Sequence, residues 1–83
     1  MARSVEPRGK YVILNETFLQ KKAGYLNDPR HVFYKAMLAT RSYSVYLDAV
    51  GDKQVDAVTY KTRLVSGRME ILYARRKRWI RDV

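Results

Sequence analysis

Cysteine is missing from this chain of 83 residues, histidine occurs once and proline twice. The first absence removes disulfides and thiolate metal sites, and it fits a reducing compartment. The scarcity of histidine leaves His31 without the companions that a His-based metal site needs, so it reads as a surface residue. The serines at 4, 42, 44 and 66 have no histidine placed to activate them. Glycines are few and isolated, so no phosphate-cradling loop is present. Apolar runs fall short of the roughly 18–20 residues that a membrane span needs. Residues 1–10 lack the apolar core of a signal peptide. Together these absences predict a cytoplasmic protein that is not an enzyme, lies off the membrane, and carries no metal or cofactor. Asp48, Asp52 and Asp56 recur at four-residue steps, but a cap and surface ion pairs account for them before a divalent-ion site does.

Acidic residues are also scarce. Eight Asp and Glu face seventeen Lys and Arg, for a net charge of +9. So large an excess points to a polyanionic partner: DNA, RNA or an acidic protein surface. The excess gathers at the two ends, with six basic and two acidic residues in 68–83 and three and one in 1–10. Hydrophobic residues make up 47% of the chain, which suits folding better than disorder. The organisation expected is one small domain over 1–83, with residues 1–10 as a mobile basic arm in which Pro7 and Gly9 stand among charges. A core of this size gains from burial against a partner or a second copy.

Periodicity predicts an all-α fold: a long antiparallel helical hairpin with a short N-terminal helix before it. Asn15 caps Glu16–Ala23, and Gly24 ends that first helix. Tyr11–Leu14 reads as a short strand or as the lead into it. Asp28 caps the next helix with Pro29 at its first position. Val32, Phe33, Ala36, Ala39, Thr40, Tyr43, Leu47 and Val50 then recur at three- and four-residue steps until Gly51. Asp52 caps the second long helix, whose stripe runs Val55, Val58, Thr62, Val65, Met69, Leu72 and Ile80. Its weak link is Ser66-Gly67, since a mid-helix glycine costs about 1 kcal/mol relative to alanine. The alternative is an α+β fold with a C-terminal β-hairpin turning at Ser66-Gly67, which would pair Leu64 with Met69, Thr62 with Ile71 and Tyr60 with Tyr73. The seven tyrosines are expected at core edges with their hydroxyls in water.

The densest basic feature is Arg75-Arg76-Lys77-Arg78-Trp79-Ile80-Arg81. If packing ends near Leu72 or Tyr73, the last helical turns project from the body. Arg75, Arg76, Lys77, Arg78 and Arg81 would then lie along phosphates, with Trp79 stacking on a base or wedging at a groove. Arg3, Arg8 and Lys10 would assist from the other end. This predicts a small basic nucleic-acid-binding accessory protein, non-specific between DNA and RNA and strongly salt-dependent. A second apolar stripe, Tyr34, Leu38 and Val45 on the first long helix and Tyr60, Leu64 and Ile71 on the second, predicts a homo-oligomer. From it follows an alternative function, a helical-hairpin assembly protein whose basic cluster docks an acidic protein partner. Phe18 to Tyr25, followed by Asp28-Pro29-Arg30-His31, also resembles the turn region of a helix-turn-helix, with Arg30, His31 and Tyr34 aimed at a major groove. The turn is long for that motif, and a helix connection capped by Asp28 is the simpler reading.

Overall fold

The computed structural model describes residues 7–56 and 64–83. The elements are β1 (Tyr11–Ile13), α1 (Glu16–Gly24), α2 (His31–Thr40), α3 (Tyr43–Tyr46), a π-helical turn (Leu47–Gly51), β2 (Gln54–Asp56), β3 (Leu64–Ser66), α4 (Gly67–Arg76) and β4 (Ile80–Asp82). The fold is therefore mixed α+β and not all-α. β1 pairs antiparallel with β4, in the register Tyr11↔Asp82 and Ile13↔Ile80. β2 pairs antiparallel with β3, in the register Gln54↔Ser66 and Asp56↔Leu64. Among the described residues, no helix is long and apolar enough to cross a membrane.

The first helix forms where its capping residue places it. The Asn15 side chain accepts a hydrogen bond from the Phe18 N–H at 3.3 Å. Glu16 lies in the first turn and Lys21 and Lys22 in the last, each sign matched to its end of the helix dipole. α1 packs chiefly on α2.

The helix expected from Pro29 to Val50 is interrupted at Arg41, which takes the left-handed conformation at φ 56° and ψ 15°. The segment leading into β1 docks there. The Tyr11 N–H donates to the Arg41 carbonyl at 3.2 Å, the Tyr43 N–H donates to the Gly9 carbonyl at 3.0 Å, and Lys10 bridges to Ser42. Backbone groups that a continuous helix would pair internally are thus satisfied by another part of the chain. The helical period persists across the break because α2 and α3 face one core, to which they give Phe33, Tyr34, Met37, Tyr43 and Tyr46. The same docking holds residues 7–10 against the body, with Pro7 buried.

Where the second long helix was expected, the described residues form two strands and the ten-residue α4, while Val58, Tyr60 and Thr62 fall outside them. Ser66 is the cap of α4, its Oγ accepting from the Met69 N–H at 3.2 Å. The α+β class of the alternative fits, but Ser66-Gly67 opens a helix where a hairpin turn was expected. The strand before it pairs backward, with β2. A Cβ on Gly67 would stand 2.0 Å from the Val50 carbonyl oxygen, so the start of α4 lies directly on the end of the π-helical turn. The Gly67 N–H donates to the Lys53 carbonyl at 3.1 Å, and the Tyr46 hydroxyl donates to the Gly67 carbonyl at 2.7 Å.

The tyrosines also depart from expectation. Tyr11, Tyr34, Tyr43 and Tyr46 are all at most 2% exposed, and each hydroxyl is bonded to protein. Tyr34 donates to the carboxylate of Glu70, the one charged residue among the buried ones described. Burial, and then that carboxylate, push the Tyr34 phenol far above its ordinary pKa.

The closeness of Gly67 to Val50 leads to a direct expectation. Gly67→Ala should lower stability by about 3 kcal/mol, the upper part of the range for forcing atoms into a packed site. Urea titration followed by circular dichroism would measure it, and an unchanged midpoint would mean that the π-helical turn yields freely.

Candidate nucleic-acid interface

The basic cluster takes its shape from the way α4 ends. Arg78 adopts φ 64°. The Arg78 N–H donates to the Arg75 carbonyl at 3.2 Å and the Trp79 N–H to the Ala74 carbonyl at 3.0 Å. This pair of bonds is a Schellman motif, with arginine at the left-handed position that glycine usually fills. The apolar contact that accompanies such motifs is present too: the Tyr73 and Trp79 rings meet edge-on at 5.6 Å. The chain therefore reverses at Lys77–Arg78. It does not project as a basic helix. Ala74 and Ile80, on either side of the reversal, are fully buried.

The result is a cationic knuckle. Arg75, Arg76, Lys77, Arg78 and Arg81 are all exposed, and within 75–82 the only carboxylate is Asp82. Arg75, Arg76, Arg78 and Arg81 surround a groove of about 590 Å³ that also includes Leu14 and Leu72. Arg76 and Lys77 both lie over the Tyr73 ring, at 5.6 and 5.7 Å from its centroid.

Two members of the expected site have structural work. The Arg75 guanidinium grips Asp82 through two bonds, Nε to Oδ1 at 3.0 Å and Nη2 to Oδ2 at 2.8 Å. The buried Tyr43 hydroxyl donates to the same Asp82 Oδ1 at 2.5 Å. Trp79 is half-buried, with its ring 4.7 Å from Phe18 and 6.1 Å from Tyr34, so it does not stand out to stack on a base. Lys22 completes this cluster. Its ammonium lies 5.1–5.8 Å from the centroids of Tyr34, Phe18 and Trp79, an internal cation among three rings.

The other expected residues divide. The Lys10 carbonyl accepts from the Val83 N–H at 3.0 Å, which brings Lys10 to the sheet that carries Arg81. Arg8 lies apart, in a second cavity that it shares with Asp48, Asp52 and Arg68. Arg3 and Tyr60 fall outside the described residues. Of the residues expected to self-associate, Val45 and Leu64 are exposed and Leu38 is half-buried, but Tyr34 and Ile71 belong to the core and cannot meet a second copy. The helix-turn-helix reading fails on the same ground: Tyr34 is buried, and Arg30 is turned onto Asp28 at 2.8 Å. Those Arg30 bonds pull the Asp28 carboxyl below its ordinary pKa.

Asp82 gives the knuckle a pH signature. The Arg75 bonds first, and the Tyr43 bond second, lower its carboxyl from 3.8 to about 2. The folded state thus holds this proton more weakly than the unfolded chain does. Its stabilisation is complete above the ordinary carboxylate pKa and is lost as the pH falls through about 2. Melting temperatures of the wild type and Asp82→Asn should differ by a constant amount at neutral pH. The gap should narrow below about pH 4 and close only below pH 2. A gap of undiminished size at pH 2 would mean that the carboxylate charge is not its source.

No protein-family model matches the chain, and no curated protein or solved structure is similar to it at a significant level.

Proposed function

We propose that the chain is a small basic nucleic-acid-binding accessory protein that grips phosphates with the knuckle between α4 and β4. The observation that supports it is the crowding of Arg76, Lys77, Arg78 and Arg81 at one chain reversal, all exposed, with Asp82 already satisfied by Arg75 and Tyr43. Concentrated cations release counterions when they meet a phosphate backbone, which makes binding tight at low salt and steeply salt-dependent. Arg75 acts indirectly. It ties β4 to α4 and so keeps Arg76 and Arg81 on one surface. No pattern of side chains here specifies a base edge, so sequence preference is weak.

The test spares Arg75 and Lys77 and removes the other three arginines of the knuckle. Arg78→Gly is useful because it deletes a charge while relieving a left-handed arginine, a strain of roughly 1–2 kcal/mol for a residue with a side chain. The triple variant Arg76→Ala, Arg78→Gly, Arg81→Ala should therefore stay folded and bind mixed-sequence nucleic acid more weakly. The slope of log affinity against log salt should fall by about 0.7–0.9 for each phosphate that the variant no longer neutralises. Fluorescence anisotropy over a salt series reads both quantities. Unchanged affinity and slope in a folded triple variant would remove the knuckle from the interface.

A further inference from the structure

A pocket of about 380 Å³ lies between α1 and the start of α2, and none of Arg75–Arg81 contributes to it. Its walls are largely apolar, with Phe18, Tyr25 and Tyr34 among them, and Lys21, Lys22 and His31 supply the polar edge. Its one carboxylate, Asp28, is already occupied by Arg30, through Nη2 at 2.8 Å and the backbone N–H at 3.0 Å. The Asp28 carbonyl can only accept, so His31 Nδ1 donates to it at 2.8 Å. That fixes the tautomer of the neutral ring and leaves Nε2 as an acceptor. Tyr25 is 59% exposed, so most of its ring is open to a ligand. The chemistry on offer is an apolar wall beside the exposed Lys21 and one ring acceptor, with Lys22 already engaged by rings. A nucleotide matches each part: a base for the apolar wall, an exocyclic amine for His31 Nε2, and a phosphate for Lys21.

The pocket and the knuckle groove share no lining residue, but packed rings connect the elements that carry them. Trp79 lies 4.7 Å from Phe18 on one side and 5.6 Å from Tyr73 on the other. Tyr73 in turn carries Arg76 and Lys77. This packing fixes the α4–β4 reversal against α1, so the exposed cations and the pocket keep a set spacing that a strand could bridge. A base inside a duplex keeps its faces stacked and its edge paired, and it cannot fill a pocket without being extruded.

We propose that this pocket seats one unpaired nucleobase, and that the ligand of the protein is single-stranded nucleic acid whose backbone crosses the arginine knuckle. The inference rests on the phosphate-gripping reading above.

The experiment compares a labelled 12-nucleotide single strand, as RNA and as DNA, with a blunt duplex of the same sequence and with an abasic strand of the same backbone length. Wild type should bind the two base-bearing single strands about tenfold more tightly than the duplex or the abasic strand, the effect of stacking one or two bases. Tyr25→Ala should erase that preference and leave abasic-strand affinity unchanged. Its side chain is exposed, so the fold survives the change. Lys21→Ala should weaken all of the single strands, abasic included, and flatten their salt slope. Equal wild-type affinity for base-bearing and abasic strands, or a Tyr25→Ala variant that keeps the preference, would overturn the pocket while leaving the knuckle standing. Absence of salt-sensitive binding to any of the four would overturn both readings.

Discussion

A phenol taken out of water must find an acceptor, and four tyrosines impose that requirement on this fold. Each satisfies it by reaching to an element other than its own. Tyr11 of β1 donates to the Met37 carbonyl of α2 at 2.8 Å. Tyr34 of α2 donates to Glu70 of α4. Tyr46 of α3 donates to the first residue of α4, and Tyr43 of the same short helix donates to Asp82 of β4. These tyrosines are the largest fully buried side chains of the core, and their hydroxyls set which backbone or carboxylate lies opposite. A core of leucines would fill the same space with less control over register. Here α4 cannot slide along α2 or α3 without stranding a buried hydroxyl or the Glu70 carboxylate, which costs about 1–3 kcal/mol or more for each group left unpaired.

The basic surface inherits this order. Tyr43 and Arg75 converge on Asp82, so β4 is fixed to both α3 and α4 before any ligand arrives. The Schellman turn between them holds Lys77 and Arg78 outward, and the Tyr73–Trp79 contact braces it from beneath. If the proposed phosphate contact is made here, it would require little further ordering of these cations. Through Trp79, the ring cluster around Lys22 packs the α4–β4 reversal against α1.

Local signals made some of this legible and hid the rest. α1 could be read because its cap, its charges and its terminal glycine are all within ten residues of one another. The core faces of Phe33 and Tyr43 followed from helical spacing alone. The break at Arg41 could not be read, because its cause is a backbone pairing with residues 9–11, about thirty positions away in sequence. Ser66-Gly67 was ambiguous for a related reason. Serine followed by glycine serves a turn or a capped helix start equally well, and only the Val50 carbonyl beneath Gly67 decides between them. The end of α4 was misread because arginine, not glycine, occupies the left-handed position, so the usual stop signal is missing. Without that stop the cationic run reads as more helix, and Trp79 reads as exposed. Of the pocket, the interleaving of Phe18, Lys21, Lys22, Tyr25 and His31 was visible, but nothing in the spacing indicates that the segments bearing them close around a cavity.

The pairing of β1 with β4 has a consequence in time. Ile13 waits for Ile80, sixty-seven positions later in the chain. At ordinary translation speeds the interval is about 3–14 s. One edge of β1 can be occupied early, since Arg41 and Ser42 are made soon after it. The other edge stays open until Ile80–Asp82 leave the ribosome, and Tyr43 lacks its carboxylate acceptor until the same moment. The last few residues of the described chain therefore act as a latch. Until they arrive the nascent protein presents an unpaired strand, and the knuckle forms only in the same event that closes it.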